Sequence, residues 1–264
     1  MSNTDRSGLA DFACTLADAA RAVTLPAARL AQEIENKAAG GAFDPVTAAD
    51  RAAERAIRTL IEAHHPDHGI DGEEFGSTPG AGRYSWSLDP IDGTRAFICG
   101  LPGWTTLIAL LEEGAPVIGL IDAPMVGERY LGDSTGSRLI GSDATARIRV
   151  SACRSLAEAR LATTDPYLFD DADAAAFDRL RRAARLTRYG FDAYAYARLA
   201  AGGIDLVAET GLKPHDYHAL VPVVRGAGGV VGNWRGGDDL SGGDVLAAAT
   251  RALFDAAVGT LARP

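Results

Sequence analysis

The chain has 264 residues, of which 47% are hydrophobic and 23% charged, as in a globular protein with a sizeable core. Its formal net charge of −9 argues against a nucleic-acid partner, because phosphate backbones require clustered Lys and Arg. The three cysteines are widely separated, and we interpret them as small buried residues in a reducing compartment. Neither a signal peptide nor a membrane span is predicted, so we expect a soluble, cytoplasmic protein that does not bind membranes.

The first part of the chain predicts helices followed by a strand meander. Residues 8–38 are Ala-rich with apolar residues at helical spacing, and a second helix follows Thr47, which forms a candidate capping box with Asp50. Strands are predicted at 69–71, 86–88, 105–111, 116–121 and 128–131. This order indicates an α+β unit, for which we predict bounds of 1–143.

The second part alternates short apolar segments with helical ones. The predicted strands are 160–163, 186–189, 204–208 and 245–249, and the predicted helices are 173–185, 192–201, 216–225 and 251–261. Such alternation is typical of an α/β layer. We predict a second subdomain over 144–264 that shares a cleft with the first.

The most informative motif is the run from Trp86 to Thr94, in which an apolar strand ends in Asp-Pro-Ile-Asp-Gly-Thr. Two carboxylates this close repel each other unless cations lie between them. Mg²⁺ prefers carboxylate and carbonyl oxygens and usually keeps water and substrate phosphate as further ligands. The motif therefore predicts a Mg²⁺ site that handles phosphate.

Several stretches, in order from about Asn36 to Gly236, resemble the inositol monophosphatase superfamily. They include residues 43–50, Gly72-Glu73-Glu74, the Asp-Pro-Ile-Asp-Gly-Thr run and Gly-Leu-Lys-Pro-His-Asp at 211–216. The chain is most similar to the histidinol-phosphate phosphatase branch, on the evidence of 35–37, 43–50, 67–70, 97–102, 211–216 and 219–222. Inositol-specific members usually have Asn-Phe-Val-His after the Gly-Thr, where this chain has Ala96-Phe97-Ile98-Cys99.

This resemblance implies a layered αβαβα sandwich of the inositol monophosphatase and fructose-bisphosphatase type, combining α+β and α/β parts. It also implies two or three Mg²⁺ ions, lithium sensitivity, a small phosphorylated metabolite as partner and a homodimer. The residues that resemble the metal ligands are Glu73, Asp89, Asp92 and Asp216, with the Ile91 carbonyl as a backbone ligand.

The same resemblance assigns phosphate binding and catalysis to residues around this motif. Gly93 and Thr94 resemble the phosphate-binding turn, and Lys37 is a further candidate near the phosphate. Glu73 is a candidate to orient the water that a metal activates for in-line attack on phosphorus. Asp50 and the Thr94 hydroxyl are the other candidates to accept the water's proton, and the sequence does not choose between them.

Substrate selection is predicted to lie in the second part. Glu209 resembles the position that contacts the non-phosphate part of the substrate, and Asp192 is a second candidate. Either carboxylate suits the ammonium and imidazole of histidinol phosphate, whose hydrolysis belongs to histidine biosynthesis, but each also suits a polyol. The alternatives are therefore an inositol-1-phosphate or broad-specificity sugar phosphatase and, in another class, a catalytically idle regulatory or scaffold subunit.

Overall fold

The computed structural model describes residues 3–30, 35–36, 45–142 and 144–262. The strands of this part of the chain are β1 (Glu35–Asn36), β2 (Pro45–Val46), β3 (Gly69–Gly72), β4 (Gly76–Thr78), β5 (Tyr84–Asp92), β6 (Thr105–Glu112), β7 (Ala115–Ala123), β8 (Glu128–Asp133), β9 (Gly136–Ile140), β10 (Thr145–Ile148), β11 (Arg160–Thr163), β12 (Leu186–Tyr189), β13 (Leu206–Glu209), β14 (Val230–Gly232) and β15 (Val245–Ala248). Its α-helices are α1 (Asn3–Ala27), α2 (Ala48–His64), α3 (Thr94–Ile98), α4 (Asp171–Ala183), α5 (Asp192–Ala200), α6 (Pro214–Tyr217), α7 (Leu220–Gly226) and α8 (Arg251–Leu261).

Two large sheets organise the described residues. The first has the order β10-β9-β8-β7-β6-β5-β3-β4 and is antiparallel except for the parallel pair β3 and β5. The second has the order β12-β11-β13-β15-β14, in which β11 runs parallel to β12 and β13 while the other pairs are antiparallel.

Three hydrophobic cores hold together the five layers of helices and sheets. Helices α1 and α2 pack on one face of the first sheet through Ile57, Trp86 and Ile108. Its other face, with Leu107, shares a core with α5, α7 and the inner face of the second sheet. Helices α4 and α8 cover the outer face of that sheet. Successive side chains of a strand point to opposite faces of its sheet, so one strand can contribute apolar residues to the layers on both sides. The resulting architecture is the predicted αβαβα sandwich.

Several element predictions are confirmed and others need correction. Strands β11 and β12 and helix α8 have the predicted bounds. The helix predicted over 8–38 ends at Ala27, one residue after Pro26, which lacks a backbone donor, and 35–36 form a strand. The helix predicted over 216–225 is two helices, since Pro222 is compatible only with the first turn of a new helix.

The strands β4, β9, β10 and β14 were not predicted. They are short, and β4 is fully exposed, so they lack the apolar alternation by which a strand is recognised. The subdomain boundary after residue 143 lies at a position outside the described residues and stays a prediction. The first sheet itself continues to Ile148, where β10 pairs with β9.

Candidate metal centre and adjoining pocket

A bulge in β5 brings Asp89 and Asp92 to one side of the sheet. Asp89 pairs with Leu107 and Asp92 with Thr105, so three steps along β5 oppose two steps along β6. In a regular strand, residues three apart point to opposite faces, and one extra residue reverses that relation. Pro90 within the bulge has no N–H to donate, while its carbonyl accepts the Thr106 hydroxyl at 2.8 Å.

Asp216 completes this group from the second part of the chain. It lies in α6, where its carboxylate accepts the Lys213 amide at 2.6 Å. One oxygen from each of Asp89, Asp92 and Asp216 lies within 4.8 Å of the other two, the one such group found among the described residues. These three predicted ligands are therefore brought together.

Burial and nearby negative charges raise the pKa of Asp89 and Asp92. Burial raises the pKa of Asp89 well above its ordinary value, and the negative charges of Glu73, Asp92 and Asp216 raise it further. Burial has the same effect on Asp92, to which Asp192 and Asp216 add. Buried carboxylates in repulsion fit a divalent cation with oxygen ligands, so the donor set suits Mg²⁺.

Hydrogen bonds around the bulge join Ile91 to two other residues of the motif. The Ile91 amide donates to Asp89 Oδ1 at 3.0 Å, and the Ile91 carbonyl accepts the Thr94 hydroxyl at 3.1 Å. The amide of Ile91 is therefore linked to Asp89 and its carbonyl to Thr94. The role of this carbonyl as a metal ligand stays a prediction.

Glu73 adjoins the group from the loop after β3. Its amide donates to the Leu88 carbonyl at 3.1 Å, which fixes the loop to β5. The negative charge of Glu73 raises the pKa of Asp50, Asp89 and Asp216, so its carboxylate interacts electrostatically with all three. Whether Glu73 binds metal and orients water stays a prediction.

The loop that carries Glu73 is held by Glu54, which the sequence did not single out. Glu54 is fully buried in α2, accepts the amides of Glu74 and Phe75 at 2.8 and 3.2 Å, and pairs with Arg58 at 2.8 Å. A Cβ atom at Gly72 would lie 2.0 Å from Glu54 Oε1, so only glycine fits there. Glu54 follows the apolar spacing of the helix, and that spacing was the available signal of its burial.

Asp50 forms the predicted capping box. Its carboxylate accepts the Thr47 amide at 2.9 Å and the Thr47 hydroxyl at 2.6 Å. Burial raises the pKa of Asp50. Capping α2 does not prevent Asp50 from accepting a proton from the attacking water. That proton-accepting role stays a prediction for both Asp50 and Thr94.

Gly93 and Asp192 meet where the two parts of the chain come together. Gly93 has a φ of 80° and directly precedes α3, and a Cβ atom there would lie 3.1 Å from the Asp192 carboxylate. Burial raises the pKa of Asp192 to about 6. The neighbouring Ala193 amide donates to Asp92 at 2.8 Å, linking α5 to the carboxylate group.

Glu209 lies at the end of β13 and is buried among three donors. Its Oε1 accepts the amide and hydroxyl of Thr164 at 2.7 and 3.0 Å, and its Oε2 accepts the Thr163 hydroxyl at 3.1 Å. Burial nevertheless raises the pKa of Glu209 to about 8. No sequence motif indicated the two threonines, because they precede Glu209 by some 45 positions.

A cavity of about 240 Å³ joins these residues to the carboxylate group. Five carboxylates line it, and its described lining residues include no Lys, Arg or His. They are Asp92, Asp165, Asp192, Glu209 and Asp216. Asp165 was not predicted; it lies 3.7 Å from Arg95 at the cavity's wider mouth, which Glu73, Gly93 and Thr94 also line.

Some predicted residues lie elsewhere. Lys37 falls outside the described residues, so its predicted place near the phosphate has no structural account. The cysteines are free but not fully buried as predicted: Cys14 and Cys153 are half-buried and Cys99 is exposed. None of the described helices combines the length and apolarity needed to cross a membrane.

Comparison with known proteins agrees with this fold and site. A sequence model described as the inositol monophosphatase family matches residues 5–263. The chain is 43% identical over 239 residues to the bifunctional phosphatase IMPL2, chloroplastic, of Arabidopsis thaliana, covering 89% of this chain and 67% of that one. It is 37% identical to the histidinol-phosphatase of Chlorobaculum parvum, covering 79% and 80% of the two chains.

Solved structures agree as well. An inositol monophosphatase from Zymomonas mobilis superposes with a TM-score of 0.85 at 39% identity, covering 99% of both chains. The chain belongs to the inositol monophosphatase family, a family of phosphatases, and the predicted recognition is confirmed.

Proposed function

We propose that this chain hydrolyses L-histidinol phosphate to L-histidinol and phosphate, with two or three Mg²⁺ ions held by Asp89, Asp92 and Asp216. Glu73 and the Ile91 carbonyl are the further ligands of this proposal. When bound, the ions would lower the pKa of water and offset the negative charge of the phosphate. The convergence of the three carboxylates supports this part of the proposal.

The acid-lined cavity is the single observation that carries the choice of substrate. It shares Asp92 and Asp216 with the carboxylate group and extends from there to Asp192 and Glu209. Histidinol phosphate has an ammonium and an imidazole beyond its phosphate, and carboxylates complement both. Myo-inositol has no cationic group, so it gains less from five surrounding acids.

The remaining roles follow from position around the cavity. The turn at Gly93 and Thr94 would bind the phosphate, together with Lys37. Glu73 would orient a water for attack on phosphorus in line with the leaving oxygen. Asp50 or the Thr94 hydroxyl would accept the water's proton.

Other activities have some support from the relatives' names. An inositol-1-phosphate or broad-specificity sugar phosphatase would use the same carboxylate group, and the Zymomonas mobilis structure is named an inositol monophosphatase. Further relatives are named Nus factor SuhB, which suits the alternative of a regulatory or scaffold subunit. A buried carboxylate group is costly to retain without cations, and this favours the enzyme.

The two substrates are best compared directly. We expect kcat/KM for L-histidinol phosphate to exceed that for myo-inositol 1-phosphate by at least about a hundredfold, since unpaired buried acids would penalise the polyol. Phosphate release measured with each ester at saturating Mg²⁺ tests this. A preference for the polyol would refute the substrate, and no hydrolysis of any monoester would favour the scaffold alternative.

Four further expectations accompany the proposal. They are inhibition by lithium, a homodimer, a cytoplasmic location and the division into subdomains 1–143 and 144–264. Activity in LiCl and sedimentation velocity test the first two.

A further inference from the structure

One residue that lines the acid-lined cavity has a buried hydroxyl without a partner. Tyr196 lies on α5 and is 1% exposed, and it lines the cavity beside Glu209. Among the described residues, its hydroxyl is one of three buried polar side-chain atoms that have no hydrogen-bond partner. The other two are Trp104 Nε1, which does not line this cavity, and His215 Nε2, which lines only its wider mouth.

The ring of Tyr196 needs no hydroxyl for its structural role. It belongs to the central core shared by the two sheets, where phenylalanine would fill the same space. A buried hydroxyl without a partner lowers stability, because its hydrogen bonds to water are lost and not replaced. Retaining a tyrosine here therefore calls for a partner that arrives with the ligand.

The neighbouring groups define what that partner must be. Burial raises the pKa of Tyr196 well above its ordinary value, and the negative charge of Glu209 raises it further, so the hydroxyl keeps its proton. It can then donate to an uncharged acceptor. Glu209 offers the opposite function when it is ionised, the form that a cationic ligand favours: Oε1 already accepts two hydrogen bonds, but Oε2 accepts one from Thr163 and has a lone pair left.

We propose that the Tyr196 hydroxyl is a specificity-determining hydrogen-bond donor that, together with Glu209, binds the imidazole of the substrate. A neutral imidazole carries one N–H donor and one nitrogen acceptor. Glu209 accepts from the N–H, and Tyr196 donates to the other nitrogen. This inference rests on the proposed function, and it adds a residue that distinguishes an imidazole from a ring bearing only hydroxyls.

Tyr196→Phe tests the inference, with Tyr194→Phe as the matched control on the same helix. The Tyr194 hydroxyl donates to Glu128 at 2.9 Å, and Tyr194 does not line the cavity. KM and kcat are measured for L-histidinol phosphate and for 2-aminoethyl phosphate, which lacks the imidazole, and thermal unfolding is recorded for each protein.

Tyr196→Phe is expected to raise KM for L-histidinol phosphate about tenfold, the loss of one hydrogen bond, while KM for 2-aminoethyl phosphate changes less than about twofold. Its Tm is expected to equal or exceed that of the wild type. Tyr194→Phe is expected to keep both KM values and to lower Tm.

Three kinds of result would overturn the inference. Equal losses with both esters, or a lower Tm accompanying the loss, would assign Tyr196 a structural role. If the wild type hydrolyses L-histidinol phosphate efficiently and Tyr196→Phe leaves KM unchanged, Tyr196 is not a hydrogen-bond donor to the substrate, although the proposed function stands. If the wild type hydrolyses 2-aminoethyl phosphate but not L-histidinol phosphate, the proposed function fails and the inference fails with it.

Discussion

Glu209 combines burial with negative charge, and this makes the stability of the protein depend on pH. The folded protein holds the pKa of Glu209 at about 8, against an ordinary value of 4.5. A carboxyl group with a raised pKa stabilises the fold fully below its unfolded pKa, and that stability is lost as the pH rises through the folded pKa. The relevant window therefore runs from about pH 4.5 to pH 8.

Replacing Glu209 by Gln should remove this pH dependence. The amide keeps a similar shape and cannot ionise, so without metal or substrate the variant should gain stability relative to the wild type as the pH rises from 5 to 8. Urea unfolding at several pH values measures the difference. Glu158→Gln, at an exposed position, serves as the control. A difference between Glu209→Gln and wild type that stays constant over this range would contradict the raised pKa.

For single residues, the sequence predicted most of the carboxylates of the candidate site but missed other residues that line the same cavity. Asp89, Asp92, Asp216 and Glu209 were all selected from motifs and resemblance. Tyr196 and Asp165 were not, because a lone aromatic in a helix and a lone aspartate in a loop carry no motif. Their role becomes visible only when distant segments enclose the same cavity.

Among the elements, the link between α2 and the loop after β3 matters most for the candidate site. Glu54 accepts two loop amides, and Arg58, which pairs with it, also donates to the Gly76 carbonyl and the Thr78 hydroxyl. One ion pair thus fixes the loop that carries Glu73. Periodicity predicted α2 and its cap and placed Glu54 on the buried side, but it could not show that Glu54 pairs there with Arg58 and the loop amides.

Glu54→Ala should therefore destabilise the protein and impair its activity. Removing one partner of a buried ion pair costs about 3–5 kcal/mol, and here two amides also lose their acceptor. Chemical unfolding measures the loss of stability, and kcat at a temperature where the variant is folded reports the displacement of Glu73. Glu62→Ala, exposed on the same helix, should change stability by less than about 0.5 kcal/mol. If Glu54→Ala matched that control, the pair would not support the loop.

The bulge in β5 shows what the sequence of an element can and cannot reveal. A turn at Gly93 and Thr94 and a shared metal site for Asp89 and Asp92 were both expected from the resemblance. The pairing that brings Asp89 and Asp92 to one side of the sheet, three steps along β5 against two along β6, depends on a neighbouring strand. Register of this kind is set by the sheet as a whole.

In the whole molecule, the candidate site lies where the two sheets and their connections meet. Asp89 and Asp92 come from the first sheet, Asp216 from α6, and Glu209 from the second sheet. The layer order followed from the resemblance and from the change in strand spacing along the chain. The short edge strands β4 and β10 of the first sheet did not, because exposed strands of three and four residues are defined by their pairing and not by their composition.

The central claim is that carboxylates from both parts of the chain bind divalent ions needed for phosphoester hydrolysis. The most direct test is phosphate release from L-histidinol phosphate by wild type and Asp92→Asn across a Mg²⁺ titration, with Asp11→Asn as an exposed control. We predict that EDTA abolishes wild-type turnover and Mg²⁺ restores it. Asp92→Asn should lose at least about a hundredfold in kcat/KM while keeping the circular dichroism spectrum of the wild type, and Asp11→Asn should be unaffected. Wild-type turnover by Asp92→Asn, or in EDTA, would contradict the claim.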